Sequence, residues 1–225
     1  VGGGPAGLAG AIRLARLVEK AKAEGNCPPE LEELEIGVLE KAEELGQHTL
    51  SGAVMNPGPL RELFPDLKDS DFPFKWPVTK EAVYKLSATG KLKLPTPPTM
   101  KNHGNFAVSI CEVVRWMGEQ AEELGVNMFT GFPAANLLTD GDRVVGVRTE
   151  PRGLDRDGNP GTGHEPGTDL EAQVVCLAEG CRGPLTMAWQ EWQGVKSANP
   201  QIYALGVKEL WEVKQPLDKI IHTMG

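Results

Sequence analysis

VGGGPAGLAGAIRLARL, residues 1–17, runs a glycine cluster straight into a helical apolar pattern. Gly2, Gly4 and Gly7 match G-x-G-x-x-G, and the spacing assigns each a job in a dinucleotide-binding turn. Gly2 permits the tight turn, Gly4 removes a side chain where a pyrophosphate would approach, and Gly7 lets the helix pack closely. Pro5 and Ala6 open that helix, whose first N–H groups and positive dipole end suit an anion. Ala9, Ala11 and Ala15 keep it slim for packing on a sheet. Such a turn expects a strand of five or six apolar residues before it, and the sequence supplies Val1. The expectation is a chain that starts inside its first strand.

A dinucleotide fold also needs an acidic residue at the end of the next strand, where it can meet a ribose. ELEIGVLEKAEELG provides one: Ile36 to Leu39 reads as a short strand that ends in Glu40. Glu40 lies further from the turn than the usual distance of about 20 residues. The proline-punctuated stretch 26–33, NCPPELEE, reads as an insertion that accounts for most of the excess.

Beyond this unit the chain alternates. Segment 56–105 is rich in proline and low in periodicity, which predicts a long excursion without regular structure. FAVSICEVVRWMGEQAEEL, 106–124, has helical spacing, with Trp116 and Met117 on its core face. A strand and a hairpin closed at Asp140-Gly141-Asp142 follow, then a loop from Arg152 to Asp169. Leu170 to Leu177 reads as another strand, leaving through Ala178-Glu179-Gly180. A net charge of −8 argues against nucleic acid as a partner. Cys27, Cys111, Cys176 and Cys181 show no ligand-like grouping and read as reduced thiols, so no metal site is expected. No apolar run approaches the roughly 20 residues that span a bilayer.

Several blocks occur in a collinear order that carries a more specific likeness. They are GGGPAGL (2–8), HTLSGAVMNPGPLRELFPD (48–66), TMKNHGNF (99–106), VRWMGEQAEELGV (114–126), LAEGCRG (177–183) and LGVKELWEV (205–213). With them the chain resembles the electron transfer flavoprotein:ubiquinone oxidoreductases over essentially its whole length. His48 to Gly52 and Lys208 to Trp211 are the most characteristic stretches.

The resemblance implies an FAD enzyme, membrane-associated at the mitochondrial inner membrane on its matrix side or at the bacterial cytoplasmic membrane. It would take electrons from reduced electron transfer flavoprotein and pass them through FAD to ubiquinone. It implies an α/β fold: a Rossmann-like FAD-binding domain with an inserted antiparallel quinone- or substrate-binding region. The first would comprise 1–55 and 107–185, the second 56–106 and 186–225. Carried over residue by residue, Gly2, Gly4, Pro5, Ala6 and Gly7 would cradle the pyrophosphate, and Glu40, with Lys41 beside it, would take the ribose. His48, Thr49, Leu50, Ser51 and Gly52 would pass near the flavin. Ala178, Glu179 and Gly180 would line the cofactor from the returning strand. No catalytic side chain is assigned, because the cofactor carries the redox chemistry. His48 and His103 read as hydrogen-bonding loop residues rather than proton donors. A [4Fe–4S] cluster is implied for the parent protein, with ligands absent from this sequence, which then reads as an interior piece of a longer chain. Membrane contact would fall near 86–100, where only scattered apolar residues stand. Two alternatives remain: a related reductase or hydroxylase of the geranylgeranyl-reductase or aromatic-hydroxylase type, or a partial scaffold that holds no cofactor.

Overall fold

A computed structural model describes residues 1–225. In chain order the first elements are α1 (Pro5–Ala23), α2 (Pro29–Glu32) and β1 (Gly37–Glu40). Next come β2 (Ala53–Met55), α3 (Gly58–Leu63), β3 (Trp76–Pro77), β4 (Glu81–Leu86), β5 (Lys91–Leu94) and β6 (Phe106–Val108). They are followed by α4 (Ile110–Glu123), β7 (Asn127–Thr130), β8 (Ala134–Asp140), β9 (Arg143–Thr149), β10 (Arg152–Leu154) and β11 (Pro160–Glu165). The last are β12 (Asp169–Glu171), α5 (Pro184–Trp192) and β13 (Ile220–Met224). No helix is long and apolar enough to cross a membrane.

The chain divides into two units, each assembled from two stretches: Val1–Thr49 with Val113–Ile202, and Leu50–Glu112 with Tyr203–Gly225. The sequence reading sets its boundaries at 55, 106 and 185. The division falls elsewhere partly because α5 packs on β8 of the first unit.

In the first unit α1 buries Leu8, Ala11, Ile12, Ala15 and Val18, the stripe that helical spacing selects. Gly25, at φ +68°, closes it in the left-handed conformation common after a helix end. β1 runs parallel to β7 from Gly37↔Asn127 to Glu40↔Thr130. On its other side Gly2 N–H donates to Leu39 O at 2.8 Å, and beyond that Ala178 N–H donates to Val1 O at 2.8 Å. The order across this sheet is therefore β7, β1, Val1–Gly2, Cys176–Ala178. Val38, Leu39, Val114, Met117 and Ala121 fill the core. Met117 is buried and Trp116 half-buried, in keeping with a helix-core reading. The β8–β9 hairpin turns at Gly141-Asp142, and β12 pairs antiparallel with β9.

In the second unit β2, β6 and β3 form an antiparallel sheet with β6 central. β4 pairs antiparallel with β5 and parallel with β13. Asn105 N–H donates to Asn102 O at 3.0 Å, a turn that leaves His103 exposed.

Four local expectations are corrected. The strand expected over Leu170–Leu177 is regular only at Asp169–Glu171; the residues after it form no strand and the segment meets a neighbour at Val1, too short a partner to build a ladder. Segment 56–105 holds α3 and the β4–β5 hairpin, because EAVYKL and KLKL flank a turn whose Ser87 N–H donates to Gly90 O. The prolines punctuate these elements rather than abolish them. Phe106–Val108 is strand rather than helix, because β2 and β3 pair with it on both sides and override helical spacing. The 152–169 loop likewise carries the β10–β11 hairpin.

Candidate functional site

The glycine turn of the first unit leaves no room where room is needed for packing, and leaves space where a ligand would come. Gly2 has φ +104°, and a Cβ there would stand 2.5 Å from Ala178 O. A Cβ on Gly7 would overlap the carbonyl oxygen of Gly2 and lie 3.4 Å from Ala178 Cβ. A Cβ on Gly4 would meet nothing within 4 Å. Gly4 is the N-cap of α1, with extended backbone and no side-chain cap, and no acidic residue stands in the first turn. The helix end thus has no side-chain cap and no acidic residue in its own first turn.

Glu40 joins this turn to the end of β1. Its Oε2 accepts the N–H of Gly3 at 2.9 Å, and its Oε1 accepts the N–H of Ala42 at 2.9 Å. A carboxylate offers about four lone-pair sites, so the two backbone bonds leave acceptor capacity for a ribose. Gly3 is the residue that sequence reasoning passed over. It is buried, and a Cβ there would stand 2.8 Å from Leu45 Cδ2 and 3.0 Å from Glu40 Cβ. The signal was present as the middle glycine of GGG, a position the G-x-G-x-x-G pattern leaves open.

The structure thus brings together Gly2, Gly4, Pro5, Ala6, Gly7, Glu40 and Ala178. Lys41 and His48 are exposed, Thr49 is half-buried, and Gly180 adopts φ +88°. Leu50, Ser51 and Gly52 belong to the second unit. Glu179 turns away to α5: its Oε2 accepts Thr186 N–H at 2.7 Å and Thr186 Oγ1 at 2.8 Å, and its Oε1 accepts Leu185 N–H at 3.3 Å. That carboxylate satisfies the first turn of α5, a job strand-and-turn reasoning could not assign because its partners lie six and seven positions ahead.

The residues fit a bound dinucleotide: an open helix end at Gly4, close packing at Gly2 and Gly7, and a carboxylate at the tip of the second strand. They do not fit a metal. No three His, Cys, Asp or Glu side chains gather closely enough to hold an ion, and none of the four cysteines forms a disulfide.

Comparison with known proteins gives this geometry a context. The chain is 41% identical over 230 residues to the mitochondrial electron transfer flavoprotein-ubiquinone oxidoreductase of Dictyostelium discoideum, with all of this chain and 36% of that protein aligned. The Pseudomonas aeruginosa protein of the same name is 41% identical over 235 residues, covering 100% of this chain and 41% of the relative. The rat mitochondrial protein is 39% identical over 232 residues, again across the whole chain and 36% of the relative. End to end, the chain is similar to one segment of the electron transfer flavoprotein-ubiquinone oxidoreductases. It spans about two-fifths of the length of those relatives. It matches no protein-family model.

Solved structures agree on the fold. A geranylgeranyl bacteriochlorophyll reductase-like protein from Thermoplasma acidophilum superposes with a TM-score of 0.54 at 20% identity, over 89% of this chain and 42% of that one. A flavin-dependent brominase gives a TM-score of 0.51 at 16% identity, over 86% of this chain and 40% of that one. At such identities the likeness speaks for the architecture alone, and that architecture is the Rossmann-type α/β fold of FAD-dependent oxidoreductases.

Proposed function

We propose that this chain is the FAD-cradling part of an oxidoreductase that accepts electrons from reduced electron transfer flavoprotein and delivers them to ubiquinone, an electron-transferring-flavoprotein dehydrogenase. The observation that carries the reading is the identity of about 40% across the whole chain with proteins named for that reaction. The open, uncapped helix end at Gly4 beside Glu40 supports it.

In this reading Gly4 and the first turn of α1 receive the pyrophosphate, and Glu40 binds the ribose through the lone pairs its backbone bonds leave free. Gly2 and Gly7 hold the turn against Ala178 so that the helix end keeps its aim. Lys41 flanks the ribose side, residues 48–52 line the flavin side, and Ala178, Glu179 and Gly180 border the cofactor. Bound FAD supplies the redox chemistry, and the chain's residues bind it, orient it and shield it. The [4Fe–4S] cluster that the resemblance implies for a parent protein finds no fit among these residues, and no electron step is routed through one. Ubiquinone is a membrane molecule, so the enzyme works peripherally at the mitochondrial inner membrane or the bacterial cytoplasmic membrane.

The test is the visible spectrum of the purified protein after incubation with FAD and gel filtration, followed by ubiquinone-analogue reduction with reduced electron transfer flavoprotein as donor. Flavin bands that co-elute, with turnover in the second assay, are the expected result. Stoichiometric flavin without turnover on that donor would overturn the reaction and leave a flavoprotein of another activity. Failure of the full-length protein to hold flavin would overturn both.

A further inference from the structure

Two stretches singled out in the sequence, HTLSG at 48–52 and KELW at 208–211, have no assigned link. The second unit provides one. Lys208 Nζ donates to the backbone carbonyls of both Ser51 and Gly52. Two consecutive carbonyls point at one cation only when the residue between them bends the backbone, and Gly52 does so with φ +43°. A Cβ on Gly52 would lie 3.5 Å from Lys208 Nζ, an ordinary contact, so the glycine is required by backbone conformation rather than by space. An ammonium is a compact charge with three donors, which suits two oxygens from adjacent residues.

Apolar burial does not hold Lys208 in place. Its neighbours Leu205, Val207 and Leu210 are 94%, 85% and 98% exposed, and residues 203–213 form no helix or strand. On the other side of the contact the turn is fixed at once by β2, where Ala53 pairs with Val108 of β6. The lysine therefore clamps the two residues just ahead of that ladder.

We propose that Lys208 is a positioning residue whose ammonium holds the Ser51–Gly52 turn in the conformation that the flavin meets. The inference rests on the functional reading above, in which 48–52 lines the flavin side.

The experiment compares the flavin-loaded full-length protein with its Lys208→Met and Lys208→Arg variants, by hydrogen–deuterium exchange and by the visible circular dichroism and dissociation constant of FAD. Lys208→Met should speed exchange at Ser51 to Ala53 by about tenfold, the effect of losing one charge-assisted contact, and leave β4 unchanged. It should also alter the flavin dichroism and weaken FAD by about fivefold, a modest loss of preorganisation. Lys208→Arg, which keeps charge and donors, should restore both. Unchanged exchange in Lys208→Met overturns the clamp. Faster exchange with wild-type dichroism and affinity overturns the positioning role, because the contact is then only structural. A wild-type protein that holds no flavin overturns the functional reading and this role with it, while the exchange difference still reports separately on the clamp.

Discussion

Gly4→Ala and Gly7→Ala add the same methyl group three residues apart, and the structure assigns them opposite consequences. At Gly4 the backbone is extended, φ −82° and ψ −178°, which alanine adopts freely, and the added Cβ meets nothing within 4 Å. The loss of unfolded-state freedom favours the variant by about 0.5 kcal/mol, and alanine's weaker N-cap preference offsets that. Stability should therefore stay within about 0.5 kcal/mol of wild type. The methyl does, however, occupy the approach to the helix end, and FAD should bind at least about tenfold more weakly, or about 1.4 kcal/mol. At Gly7 the methyl overlaps the Gly2 carbonyl oxygen, with the Gly2 carbonyl carbon at 3.2 Å. Gly2 has no slack, since its N–H is bonded to Leu39 O at 2.8 Å and its α-carbon lies against Ala178. The helix must lift from the sheet, an overpacking cost of about 3 kcal/mol. With a urea m-value of about 2 to 3 kcal/mol/M, the midpoint should fall by at least about 1 M. Urea titrations followed by far-UV circular dichroism, paired with FAD titrations of each variant, read both quantities. Wild-type FAD affinity in Gly4→Ala, or an unmoved urea midpoint in Gly7→Ala, would refute the division of labour between the two glycines.

Glu40→Gln replaces one acceptor oxygen with an NH2 that faces a backbone N–H, either Gly3 or Ala42, and should cost about 2 kcal/mol in thermal or urea unfolding; an unchanged melting temperature would mean that these bonds contribute nothing. Glu179→Ala should fray the first turn of α5 at a cost of about 1 kcal/mol, seen as faster amide exchange at Leu185 and Thr186. In the second unit burial alone would raise the Glu81 carboxyl, but hydrogen bonds from Asn102 N–H at 2.9 Å and Asn102 Nδ2 at 2.7 Å, the His222 contact and the charge of His103 outweigh it and hold it below the ordinary 4.5. A depressed carboxyl adds stability that is complete above its unfolded-state value and is lost as the pH falls from 4.5 through its lower folded-state value. Asn102→Ala should shrink that acid loss in a melting-temperature series, and an identical pH profile would dismiss the Asn102 contacts as its cause.

The parts of the site legible in the sequence are those that local chemistry dictates. The G-x-G-x-x-G spacing, Pro5 at the helix start and the apolar stripe from Leu8 to Val18 are each set within a few residues, and α1 forms where they point. Glu40 was legible because a strand tip is the one place a βαβ unit leaves for a carboxylate. What stayed hidden depends on partners far away in the chain. Glu179 also binds the first turn of α5, a role that no local pattern announces. The tail of the Leu170–Leu177 run looks like a strand until its neighbour proves to be Val1. Glu81 and His222 carry no motif at all, since the parallel pairing of β13 with β4 is what brings His222 beside Glu81.

The residues that would touch the dinucleotide are also the ones that hold the turn together, and this has an energetic consequence. Glu40 is bonded to Gly3 and Ala42, Gly2 to Leu39, and Val1 to Ala178. The cradle is thus fixed by the fold, so binding need not order it, and less of the interaction energy is lost to entropy. The same coupling makes Gly2, Gly3 and Gly7 intolerant of substitution, while Gly4, whose side faces open space, tolerates it. A survey of alanine substitutions at the four glycines 2, 3, 4 and 7 should therefore find one, Gly4, at which FAD binding fails while folding does not. Substitutions at Gly2 and Gly7 should lose both together.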